Sequence, residues 1–150
     1  MPTSQKAKKC LLLALPEKIP PGKIYELGSG WGTLAFPLAS RYPGVEVVAF
    51  EDSPVPFLFS KGRALIDCSK NLKILKCNFF DSSLEDAALI VCYLYPKAML
   101  QLKIKFEKEL KPGTWIVSNT FAIPGWTPAK IYEVPDLYRT KIYLYRTIIK

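Results

Sequence analysis

A chain of 150 residues has the size of one domain, able to bury roughly 70% of its unfolded surface around one core. Its 49% apolar and 23% charged residues exclude a disordered chain, and the absence of histidine excludes imidazole as a general base. The net charge of +8 would draw nucleic acid, anionic lipid or an acidic partner at long range. No basic run exceeds two residues, however, so it reads as a solvated basic face rather than a dedicated nucleic-acid site.

Ser4 is placed to cap a helix from Gln5 to Leu15, which Pro16, Pro20, Pro21 and Gly22 then end. The apolar run Cys10 to Leu15 is far short of the roughly 20 residues that span a bilayer. The segment Pro16-Glu17-Lys18 that follows is no signal-peptide cleavage site, so the chain reads as soluble and cytoplasmic. Lys23 to Leu27 is a strand leading straight into glycine, and Thr33 to Arg41 reads as helix, with Pro37 predicting a late start or a kink. Val45 to Phe50 is a buried strand. Ser53 and Pro54 then open a helix running to about Cys68.

Leu72 to Cys77 and Ala87 to Leu94 are two further strands, joined by Asp81 to Asp86, which is too short for a helix. Pro96 to Leu110 carries Leu102, Phe106 and Leu110 at four-residue steps among lysines, an amphipathic helix laid on a sheet. Thr114 to Ser118 is a fifth parallel strand, and Lys130 to Val134 with Lys141 to Thr147 form an antiparallel hairpin across Pro135-Asp136. Strands alternating with helices predict a parallel sheet covered on both faces. The closing hairpin breaks the pattern of a plain dinucleotide-binding domain. Cys10, Cys68, Cys77 and Cys92 form no C-x-x-C pair, so a metal site lacks its usual ligand pattern.

In an open α/β sheet, ligands sit beyond the carboxyl ends of the strands. That rule gathers Glu26 to Gly32, Glu51-Asp52, Asn78-Phe79, Tyr93 to Pro96 and Ser118 to Phe121 on one rim. Gly28, Gly30 and Gly32 let the backbone turn tightly and pass close to a ligand. Glu51 ends the second strand 23 residues after Gly28, close to the roughly 20-residue interval at which an acid accepts hydrogen bonds from ribose hydroxyls. A nicotinamide or flavin site wants G-x-G-x-x-G; the third glycine here comes one position early, with Thr33 in its place, which makes a pyrophosphate cradle a poorer reading.

The segment Glu26-Leu-Gly-Ser-Gly-Trp-Gly32 resembles motif I of class I S-adenosylmethionine-dependent methyltransferases. In that family an acid at the end of the first strand, here Glu26, precedes glycines that approach the amino-acid part of S-adenosyl-L-methionine. Cys77-Asn78-Phe79-Phe80 resembles the segment after the third strand, where a polar side chain reads the adenine amino group and an aromatic lies on the ring; many relatives have aspartate where this chain has Asn78, whose amide oxygen can still accept. Pro2-Thr3-Ser4, Tyr93-Leu94-Tyr95-Pro96 and Ser118-Asn119-Thr120-Phe121 through Pro124-Gly125-Trp126 resemble a small protein-lysine methyltransferase group that includes the enzymes methylating the c-ring protein of ATP synthase.

The resemblance implies a Rossmann-like methyltransferase fold over residues 1–150, a mostly parallel seven-stranded sheet with a C-terminal antiparallel hairpin and helices on both faces. It implies S-adenosyl-L-methionine held by Thr3, Glu26, Gly28, Gly30, Gly32, Glu51, Asn78 and Phe79, with no metal, and a protein lysine as acceptor. Methyl transfer from a sulfonium needs alignment and a dry site more than reactive side chains, which suits a chain without histidine. Strand alternation would put Tyr93 and Tyr95 on one face, where they could wall the pocket of a lysine ammonium as it loses its proton. Trp126 either covers substrate or locks the hairpin. Competing readings are methylation of RNA or of a small molecule, and a non-catalytic nucleotide-binding module.

Overall fold

A computed structural model of the chain describes residues 4–28, 34–67 and 70–148. The Ser4 hydroxyl accepts the Ala7 N–H at 3.1 Å and so caps helix α1 (Gln5–Ala14), whose Ala7, Leu11 and Ala14 face inward. Strand β1 (Lys23–Leu27), helix α2 (Ala35–Arg41), strand β2 (Val47–Phe50), helix α3 (Pro54–Asp67) and strand β3 (Leu72–Leu75) follow. After a single 3-10 turn (Phe79–Asp81) come strand β4 (Ala87–Cys92), helix α4 (Pro96–Glu109), and strands β5 (Trp115–Asn119), β6 (Lys130–Glu133) and β7 (Lys141–Arg146).

The seven strands form one sheet in the order β3-β2-β1-β4-β5-β7-β6. β1 to β5 run parallel, whereas β7 pairs antiparallel with both β5 and β6. The last strand of the chain thus inserts between β5 and β6. Because side chains alternate along each strand, the sheet builds two cores. Ile24, Val47, Ala49, Leu89, Val91 and Val117 meet α1, α2 and the inner face of α3, while Leu27, Phe50, Ile90 and Ile116 meet Met99, Leu102 and Phe106 of α4. The expected fold, with helices on both faces, is the one observed.

Differences from the sequence reading lie at the element ends and have simple causes. Pro37 sits in the first turn of α2, where backbone N–H groups have no partner within the helix, so the late start at Ala35 accommodates it. Strand β3 stops at Leu75 rather than Cys77 because its partner β2 ends at Phe50, opposite Leu75. Strand β4 stops at Cys92 rather than Leu94 for the same reason, since Cys92 is opposite Leu27 and β1 turns away at Gly28. Val45 closes a turn onto Tyr42 instead of opening β2. The shortened carboxyl ends of β3 and β4 leave a few residues of irregular backbone at the same rim.

Candidate functional site

Two carboxylates define the rim where β1 and β2 end. Glu26 lies opposite Ala49 in the β1–β2 ladder, and Glu51, whose N–H carries the β2–β3 ladder one residue past Phe50, follows two residues beyond Ala49, so alternation directs both to the face covered by α1 and α2. Both are buried, Glu26 to 4% exposure. Glu51 is braced: its Oε1 accepts the Ser53 N–H at 2.9 Å, and its own N–H donates to the Leu75 carbonyl at 3.0 Å. By contrast, Glu26 Oε2 has no hydrogen-bond partner among the described residues. Burial, with a smaller contribution from the neighbouring Glu51 charge, pushes the Glu26 carboxyl up to about 8.

Next to Glu26 the chain turns through Gly28 at φ +75°, a left-handed conformation that a side chain would strain. A methyl group there would also meet Leu94 at 3.4 Å, so the loop after β4 closes directly under the turn. The candidates Thr3, Gly30 and Gly32, with Trp31, lie outside the described residues.

Beyond β3, Asn78 is exposed and caps the 3-10 turn, its Oδ1 accepting the Phe80 N–H at 3.0 Å. That bond uses one lone pair of the amide oxygen and leaves the second for a ligand. Phe79 is half-buried, its ring 4.5 Å from that of Phe80 and tilted by 43°. On the other side of the rim, Tyr93 is half-buried and faces Phe121, with ring centroids 6.4 Å apart. Tyr95 is the N-cap residue of α4 and is 62% exposed. Because β4 ends before both tyrosines, strand alternation does not reach them. They flank the entry to α4 from a loop.

The buried end of β5 is a part of this rim that sequence reasoning included only as a segment. Ser118 donates its hydroxyl to the Phe121 carbonyl at 2.5 Å, Asn119 is fully buried, and Thr120 at φ +72° donates to Asn119 Oδ1 at 3.0 Å. A polar Ser-Asn-Thr run at the end of an apolar strand was the available signal. Trp126 is not at the rim: it packs between Phe106 of α4 and Tyr145 of β7, and its indole N–H donates to Glu107 at 3.2 Å. It locks the segment before β6 onto α4.

An orphaned, buried carboxylate oxygen beside a glycine turn fits an ammonium ion, which would bring hydrogen-bond donors and a positive charge to a group held protonated by burial. Glu51, one strand away on the same face, fits vicinal hydroxyls, and the Phe79 ring fits a flat heterocycle. Ammonium, ribose and adenine are the three recognisable parts of S-adenosyl-L-methionine. No cluster of three or more metal-binding side chains occurs among the described residues.

Sheet order and rim together define a class I methyltransferase. The family model of the ANTKMT methyltransferase domain matches residues 26–130, and the chain belongs to that family. It is 33% identical over 128 residues to a protein-lysine N-methyltransferase of Saccharolobus islandicus, covering 81% of this chain and 77% of the relative. It is 27% identical over 108 residues to the Homo sapiens lysine N-methyltransferase named for the c-ring protein of ATP synthase, covering 71% of this chain. Over 113 residues it is 28% identical to the adenine nucleotide translocase lysine N-methyltransferase of Mus musculus, covering 74% of this chain. The chain spans about half the length of these last two relatives, 46% and 48%. Among solved structures, an RNA methyltransferase from Salinibacter ruber in complex with S-adenosyl-L-homocysteine superposes with a TM-score of 0.85 at 22% identity, covering 100% of this chain and 95% of that one, a likeness of fold.

Proposed function

We propose that this chain transfers a methyl group from S-adenosyl-L-methionine to the side-chain amine of a protein lysine. The observation that carries the reading is the pairing of an orphaned buried Glu26 oxygen with a braced Glu51 on one rim of this fold. Protein lysine as acceptor is supported by the names of the three relatives.

When bound, the cofactor supplies an electrophilic methyl group on a sulfonium. Glu26 holds its ammonium, Glu51 accepts from its ribose hydroxyls, Asn78 and Phe79 meet the adenine, and Gly28 lets the backbone pass close. Gly30, Gly32 and Thr3 complete the cofactor contacts expected from the sequence. The acceptor amine must shed a proton before attack, which from a pKa near 10.4 costs about 4–5 kcal/mol at neutral pH. The half-buried ring of Tyr93 and the ring of Tyr95 form an electron-rich wall that holds the lysine while partial desolvation lowers this cost. Orientation does the rest. The reading places the enzyme in the cytoplasm, as suits the unpaired thiols of Cys10, Cys77 and Cys92.

Calorimetry should show binding of S-adenosyl-L-methionine and its demethylated product and little affinity for NAD. With methyl-labelled cofactor and lysate, label should enter a protease-sensitive, nuclease-resistant polymer. The charge of +8 favours RNA as a second reading, and nuclease-sensitive label would establish it over protein.

A further inference from the structure

Helix α3 (Pro54–Asp67) is apolar on both sides, which an ordinary surface helix is not. Its inner face is accounted for: Phe57 and Ala64 pack into the core beneath it and Ser60 is fully buried. The opposite face carries Val55, Leu58, Phe59, Gly62, Leu65 and Ile66, spaced i, i+3, i+4, i+7, i+10 and i+11 from Val55. At about 100° per residue these six positions form one continuous arc over roughly a third of the helix surface, centred on Gly62. Its five side chains are between 55% and 81% exposed, and a methyl group built on Gly62 would have nothing within 4 Å.

Both long edges of the arc carry a cation. Lys61 lies on one edge and Arg63 on the other, both exposed, and the Arg63 guanidinium rests 4.1 Å over the Phe36 ring. Lys70 and Lys76, both exposed, flank the edge strand β3. Asp52 is the exposed acid on the approach to the helix. A second copy of the chain laid on this arc would bring Lys61 and Arg63 against their own like charges. A convex apolar ridge with basic edges instead suits an anionic lipid surface, with the apolar side chains entering the acyl boundary and the cations reaching the head groups.

We infer that the outward arc of α3, edged by Lys61 and Arg63, docks the protein peripherally on anionic membranes. The inference is independent of which amine is methylated. No helix among the described residues is long and apolar enough to cross a bilayer, so the attachment lies in the plane of the surface.

The test is co-sedimentation of the full chain with vesicles of phosphatidylcholine alone and of phosphatidylcholine mixed in equal parts with phosphatidylglycerol. Binding should require the anionic lipid and weaken at high salt. Val55→Ser combined with Leu58→Ser should lower partitioning about tenfold or more. Lys61→Gln should lower it about fivefold. Both variants should keep the thermal midpoint and the affinity for S-adenosyl-L-homocysteine, which separates loss of docking from loss of fold. No sedimentation, equal sedimentation with both vesicles, or undiminished sedimentation of the double variant would each overturn the inference. A dimer in solution that the double variant abolishes, without vesicle binding, would assign the arc to copy–copy contact instead and overturn it as well.

Discussion

The two sides of the rim hold their polar groups in opposite ways. Where β1 and β2 end, two carboxylates are buried on one face, and one of them keeps an oxygen with no protein partner among the described residues. Where β4 and β5 end, the polar groups satisfy one another: Ser118 bonds to Phe121, and Thr120 to Asn119. A protein interior tolerates an orphaned carboxylate poorly. On the proposed reading a cationic ligand would complete the first side, while the second, already satisfied, would serve as a wall beside it.

The sharpest way to break this contrast is Glu26→Gln. It should weaken cofactor binding about 100-fold, the scale of a buried charge-assisted pair, yet raise the thermal midpoint of the unliganded protein at neutral pH, since an amide is neutral without the cost of taking up a proton. Calorimetry and a melting curve on the same preparation check both signs. A variant that loses binding and stability together would mean that Glu26 is a structural residue.

Acidity offers a second handle on the same side. The folded protein holds the Glu26 proton up to about pH 8, whereas the unfolded chain releases it near 4.5. Between these values the native state binds more protons, so this group's contribution is fully present below about 4.5 and is lost as pH rises through 8. The unliganded protein should therefore lose stability across that window. Saturation with S-adenosyl-L-homocysteine should flatten the slope, because its ammonium favours the charged carboxylate, and Glu26→Gln should flatten it without ligand.

Glu51→Ala should have a smaller effect on affinity, about 1–2 kcal/mol, because on the proposed reading the residue offers hydrogen bonds to neutral hydroxyls rather than an ion pair. An unchanged isotherm would remove it from the ribose site. The smallest effects belong to the opposite wall. Tyr93→Phe and Tyr95→Phe, which keep the rings and remove only the hydroxyls, should leave cofactor affinity intact and slow turnover about threefold to tenfold, within the range of a single hydroxyl contact. The half-buried Tyr93 should matter more than the exposed Tyr95. Unaltered turnover in both would leave the hydroxyls without a catalytic part.

Much of the fold is legible in the sequence. Periodicity and punctuation locate every strand and the four α-helices to within a few residues, because Pro16, Pro43-Gly44, Ser53-Pro54 and Pro112-Gly113 stop or start elements by local sterics. The places where the reading runs long, Cys77 and Leu94, share a cause: a strand lasts only as long as its neighbour offers a ladder, and neither neighbour can be read from the strand itself. The same limit explains the tyrosines, which read as two residues on one strand face and prove to be a loop residue and a helix cap.

By itself the sequence determined the alternation of elements, the glycine turn after β1 and the acid at the end of β2, since each depends on residues a few positions apart. Only the tertiary structure decided that β7 enters between β5 and β6, that Glu26 and Glu51 share a face closely enough for one charge to oppose the other, and that α3 turns a second apolar face outward. Those outcomes depend on strand order, burial and what remains uncovered, which arise when distant segments compete for the same space.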